Sequence, residues 1–138
     1  MNQQATFEGF VQALSTQLGT SLDPAPGALQ VDLNGTPFLI AHDPEQWGDE
    51  NVMFACDFGP APERDRAEIY AALLAANRDL HGLWSPVFTM NPDTGHVVSM
   101  LALPLDGLDP GNAMEMMIKH VAVAQRWQQD HFLVPEEA

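Results

Sequence analysis

Asn34-Gly35, set between two runs in which apolar and polar residues alternate, obliges this chain to double back on itself. Asn-Gly accepts the positive φ angles of a tight hairpin turn, and few other dipeptides do so at little cost. Before it, Leu29, Val31 and Leu33 alternate with Gln30 and Asp32; after it, Thr36 to His42 place Phe38 and Ile40 on one face. Pro37 has no amide proton, so the return strand is expected at a sheet edge. Residues 51–58 repeat the alternation, with Val52, Phe54, Cys56 and Phe58 opposed to Met53, Ala55 and Asp57, and Gly59-Pro60-Ala61-Pro62 is expected to break that strand. Leu39 and Met53 fall opposite the main apolar set, which asks for a binding surface or a second layer.

Helical spacing brackets these strands. Phe7, Phe10, Val11, Leu14 and Leu18 make one stripe over residues 5–18, with Gly19 placed to end the helix. A second, alanine-rich helix is expected from about Glu63 to Asp79, with Ile69, Tyr70, Leu73 and Leu74 on its apolar side. Trp84 to Met90 and His96 to Leu103 read as two more strands around the turn Asn91-Pro92-Asp93-Thr94-Gly95. Asp109-Pro110 supplies an N-cap and a first-turn proline for a last helix running to about His131. That helix carries two stripes, Met114, Met117, Ile118, Val121 and Ala124 and, nearly opposite, Met116, His120, Val123 and Trp127. A helix apolar on two sides needs a second partner beyond its own sheet. The expected order is α-β-β-β-α-β-β-α, an α+β fold with an antiparallel sheet packed with helices, in one domain over residues 1–138.

Composition narrows the function. Five Lys and Arg stand against 19 Asp and Glu, a net charge of −14, which repels nucleic acid and anionic lipid and attracts a basic partner. No stretch approaches the length of a membrane span and no leader pattern opens the chain, so a cytoplasmic protein without membrane insertion is expected. A single cysteine excludes an internal disulfide.

Catalytic chemistry finds no constellation. Asp93-Thr94-Gly95 matches the aspartic-protease triplet, yet Pro92 and His96 flank it in a turn and the usual apolar residue before the aspartate is missing. No histidine pair has zinc-helix spacing, and His42-Asp43 with Glu45 reads as a solvated loop rather than a metal site. Cys56, alternating with Val52, Phe54 and Phe58, reads as a buried small hydrophobe. No glycine loop suited to phosphate is present. No catalytic residue, metal or cofactor is expected. Apolar surface is the richer theme, with Met114, Met116 and Met117 clustered as on adaptable binding faces.

In its order of elements the chain resembles the class I type III secretion chaperones, the Tir-chaperone or CesT-like family. The likeness is carried by the first helix ending in Leu18-Gly19 and the strand running into Asn34-Gly35. It continues in Leu73-Leu74-Ala75-Ala76-Asn77, near the family's leucine-leucine-x-alanine-asparagine segment. It closes with the strand pair split by Asp93-Thr94-Gly95, and with Leu103-Pro104-Leu105-Asp106 leading into a helix that ends near Trp127. The resemblance spans about residues 5–130. It implies a bacterial homodimer that binds the N-terminal segment of a secreted effector and keeps it soluble for secretion. On that basis the effector groove would comprise Phe7, Phe10, Val11, Leu29, Val31, Phe38, Ile40 and Phe54. The dimer contact would use Leu73, Leu74, Leu80, Trp84 and Phe88. Two other readings stand beside it: an acidic immunity or antitoxin-like protein binding a basic toxin, and a small hydrolase using Asp93 in a dimer.

Overall fold

The computed structural model describes residues 3–19, 28–33, 35–48, 50–79 and 86–133. The elements are α1 (Gln3–Leu18), β1 (Ala28–Leu33), β2 (Thr36–Ala41), α2 (Pro44–Trp47), β3 (Asn51–Pro60), α3 (Arg66–Asp79), β4 (Val87–Met90), β5 (His96–Pro104) and α4 (Pro110–Asp130). The five strands form one antiparallel sheet in the order β1-β2-β3-β5-β4.

Alternation in the strands and stripes in the helices meet on one face of this sheet. Phe7, Phe10, Val11 and Leu14 of α1, and Ala113, Met117, Val121, Ala124 and Trp127 of α4, pack on Leu29, Val31, Phe38, Ile40, Val52, Phe54, Cys56 and Phe58. An aromatic chain runs through this core: Trp127 lies 5.7 Å from Phe58, and Phe58 lies 5.8 Å from Phe88. Phe132, just past α4, closes onto Phe88 at 5.6 Å and carries the Arg126 guanidinium over its ring. Gly35 at φ 82° makes the hairpin turn, its amide donating to Asp32 Oδ1 at 2.9 Å. The Asp109 side chain caps α4 at Gly111 N, with Pro110 in the first turn, as the sequence implies.

Four expectations need correction. Pro37 is not on an edge strand, because β2 lies between β1 and β3. It is tolerated because the β2–β3 ladder runs only from Phe38 onward: β3 continues to Pro60, but pairing with β2 stops at Cys56, beside the bulge between Asp57 and Gly59, so Pro37 faces no ladder partner on that side. Gly59-Pro60 does not break β3. The strand continues to Pro60 through a bulge between Asp57 and Gly59, where Gly59 has φ 90° and donates to Asp57 Oδ1 at 2.8 Å. The second long helix, α3, starts at Arg66, not Glu63, after a turn that puts Asp65 at φ 63°. An additional helix, α2, occupies Pro44–Trp47, where Asp43 Oδ1 accepts from the amides of Glu45 and Gln46. Four residues are too few to show a period.

Sheet edge β4 is fastened by a side chain. Asn77, near the end of α3, donates from Nδ2 to Phe88 O at 3.0 Å and accepts from Phe88 N at 2.7 Å. Its amide copies the pairing that another strand would offer, leaving Phe88 without free backbone groups on the outer side.

Candidate functional site: the open face of the sheet

The second face of the sheet is apolar and, among the described residues, carries no long helix. Register places Leu39 beside Ala55, Ala55 beside Met100, and Met100 beside Val87, so one apolar row crosses four strands. Leu39 is 41% exposed and Val87 52%. Next to this row run Ala41, Met53 and Ala102 on one side and Val98 on the other. Among the described residues α2 lies on this face, toward the Met53 corner. Two hollows of about 480 and 590 Å³ lie on it and share Leu39, Ala55 and Met100. Their described lining includes the carboxylates of Asp43 and Asp57 and no lysine or arginine. Asp57 is held in place by His96, whose Nδ1 lies 3.1 Å from both carboxylate oxygens.

The sequence signal for this face was partial. Leu39 and Met53 stand out on the hairpin side, while Ala55, Val98 and Met100 did not. They alternate with Cys56, Val97, Ser99 and Leu101, so β3 and β5 are apolar on both faces, and that doubled pattern was available to find them.

The eight residues assigned by resemblance to an effector groove all lie inside. Phe7, Phe10, Val11, Leu29, Val31, Phe38, Ile40 and Phe54 are each 7% exposed or less, packed beneath α1 and α4. The first helix and first strands cover one another, and Phe38 is among the residues lining the hollow of about 480 Å³. Of the five dimer residues, the structure brings Leu73, Leu74 and Phe88 together. They line a hollow of about 200 Å³ between α3 and β4, along with Tyr70, Met90 and Val97. Leu74 is 69% exposed, whereas Leu73 and Phe88 are mostly buried. Leu80 and Trp84 lie outside the described residues.

The remaining chemistry-bearing residues resolve simply. His42 is not in a solvated loop: it is 4% exposed and stacks on Phe7 at 5.2 Å, and Asp43 is the cap of α2. Among the described residues no three His, Cys, Asp or Glu side chains gather as a metal site. Cys56 is buried, and burial first, then the neighbouring Asp57 charge, pushes its thiol up to about 12. Asp93 is exposed in the turn, its amide donating to Asn91 Oδ1, and Gly95 N closes the turn on Asn91 O at 2.7 Å. No helix among the described residues is long and apolar enough to cross a membrane.

The two stripes of α4 are not opposed. The buried residues Ala113, Met117, His120, Val121, Ala124 and Trp127 form one arc lying between them. Ile118 is left 57% exposed on one flank. Half-buried Met116 and Val123 remain on the other, facing a groove of about 490 Å³ toward Phe88, Leu101 and Leu103.

A sheet clad in helices on one face and, among the described residues, open, apolar and acid-rimmed on the other defines the class: a small α+β protein with a broad apolar surface. The chain belongs to the Tir chaperone protein (CesT) family, whose model matches residues 10–128. Among solved structures it is similar to a chain of the ExsC–ExsE complex, with TM-score 0.76 and 17% identity over 94% of this chain and 96% of that one. It is similar also to a chain of the HopA1–SchA chaperone–effector complex, with TM-score 0.71 and 12% identity over 91% and 95%. A third is in the Yersinia pestis type III secretion chaperone SycH bound to a fragment of YscM2, with TM-score 0.65 and 13% identity over 86% and 96%. Among curated proteins none matches the sequence.

Proposed function

We propose that this protein is a type III secretion chaperone that binds the N-terminal segment of a secreted effector and keeps it soluble and ready for export, without catalysing a reaction. Family membership and the likeness to chaperone–effector complexes support this reading. The observation that carries it is the apolar row from Leu39 to Val87, left open across the sheet.

The physical logic runs from that surface. A client chain held against it buries apolar side chains worth about 1.5–3 kcal/mol each before ordering costs. Several such anchors hold an unfolded segment without nucleotide hydrolysis. The charge of −14 keeps the loaded assembly soluble and favours clients whose apolar residues are flanked by bases. The protein works in the bacterial cytoplasm as a homodimer, with Leu73, Leu74 and Phe88, joined by Leu80 and Trp84, at the contact. Phe7, Phe10, Val11, Leu29, Val31, Phe38, Ile40 and Phe54 support the binding surface from within; Phe38 reaches one of its hollows, and the others meet a client directly only if α1 lifts away.

The test is co-purification from the native host, followed by light scattering. An effector bound through its N-terminal segment to two copies of this chain is expected. A monomer that recovers no secreted protein would overturn the reading, and a folded basic toxin released by salt would replace it with the immunity-protein alternative.

A further inference from the structure

Ala55 is the smallest side chain of the outer row, set between Leu39 and Met100, so the row dips at that point. The dip belongs to the hollow of about 480 Å³, room enough for an apolar side chain from another chain. Asp57 stands two residues along β3, on the same face, with Val98 beside it on β5. Its side chain lines the same hollow and is 41% exposed, so the carboxylate is open to a partner.

That carboxylate is held in one orientation. Asp57 Oδ1 accepts from Gly59 N at 2.8 Å across the bulge, and His96 Nδ1 lies 3.1 Å from both oxygens. A carboxylate only accepts, so this ring nitrogen carries a hydrogen. Two donors leave acceptor capacity unused, since two carboxylate oxygens offer about four sites. A group fixed in advance loses little freedom when a partner arrives, and a cation meeting it beside apolar surface is weakly screened. Among the described residues no lysine or arginine pairs with Asp57. The chain holds only five such residues against 19 acids, so the complementary base is sought in the partner.

We infer that Asp57 reads a base in the client: an extended segment lays an apolar side chain over Ala55 and, two residues away, an arginine or lysine over Asp57. Same-face positions of an extended chain recur about every 6.5 Å, and the same repeat separates Ala55 from Asp57 on β3. A base one position off points away from the sheet. His96 is a positioning residue that keeps the carboxylate aimed. The inference rests on the chaperone reading and adds to it a residue and a spacing.

The probe is the N-terminal segment of the effector recovered in the co-purification above, synthesised with each Lys and Arg in turn changed to Gln, and binding to the full chain is measured by calorimetry. One base, two positions from an apolar residue, is expected to contribute about five- to tenfold in affinity. Exchanging that base with its sequence neighbour should lose the same factor. Asp57→Asn, which keeps an acceptor for Gly59 N, should lose it too, by less as salt is raised, and should lose nothing more against the segment whose base is Gln. Asp57→Lys should bind the segment carrying Glu in place of that base better than wild type does. His96→Ala is expected to weaken binding about two- to threefold, and His96→Gln, which retains a donor, by less. An Asp57→Asn variant that binds like wild type, or that weakens every segment alike whatever its bases, overturns this inference and leaves the chaperone reading standing. Self-association that Asp57→Asn abolishes in light scattering assigns the carboxylate to a second copy and overturns it too. A wild type that binds no effector segment overturns both.

Discussion

Two faces of one sheet, built from the same five strands, meet opposite fates. On the inner face Val52, Phe54, Cys56 and Phe58 lie under α1 and α4 and are 2% exposed or less. On the outer face Leu39 and Val87 are close to half exposed, with Met100 and Ala55 half-buried between them. Hydrophobicity alone does not distinguish the faces. Coverage does: among the described residues α1 and α4 both lie on the inner side, and four-residue α2 reaches one corner of the outer. The inner face holds the fold together, and the outer face is left uncovered by the described residues.

Substitutions test that division directly. Phe54→Ala empties a packed site on the inner face and is expected to cost about 3–5 kcal/mol in denaturant unfolding, while Met100→Ala, on the neighbouring strand but outward, costs about 1 kcal/mol or less. Similar losses at both sites would break the comparison. Leu39→Asp is expected to weaken effector binding by about tenfold or more, since it places a charge where an apolar anchor lands, with unfolding free energy changed by roughly 0.5 kcal/mol at most. Calorimetry and denaturation on one sample separate the two effects.

The fastening of β4 allows a third test. Asn77→Ala removes both bonds to Phe88 and is expected to cost about 1–2 kcal/mol and to raise self-association in light scattering, because an open strand edge is then exposed.

Stability should also fall on both sides of neutrality through His120 and Cys56, both on the inner side. Burial lowers the His120 pKa, so below its ordinary value of 6.5 the unfolded chain takes a proton that the folded ring refuses, and stability declines as pH falls. Cys56 is pushed from an ordinary 9.0 to about 12, so above pH 9 the unfolded chain loses a proton that the folded thiol keeps. Stability then declines by about 1.4 kcal/mol per pH unit. Cys56→Ala should remove the alkaline limb and leave the acid limb, as read by melting temperature against pH.

Much of the architecture was legible in the residues. Asn34-Gly35, the stripe from Phe7 to Leu14 and the Asp109-Pro110 cap each carry a local physical demand that nothing in the tertiary structure opposes. Long-range placement was less legible. Pro37 suggested an edge because its missing amide is a local fact, whereas the end of the β2–β3 ladder beside the β3 bulge, which accommodates it, depends on how separate strands meet. The site was the least legible part. Phe10 and Met100 are both apolar residues in periodic elements, and sequence does not tell which side of a sheet the helices will cover. His120 shows the same limit: its place in an apolar stripe was visible, its burial on the inner side was not.

The Asn77 clasp bears on how the chain survives its own synthesis. It joins residues only 11 apart, so closing that loop needs little search and does not wait for distant partners. The vulnerable border can therefore be sealed while the C-terminal helix is still emerging from the ribosome, and a protein proposed to guard others against aggregation begins by guarding itself.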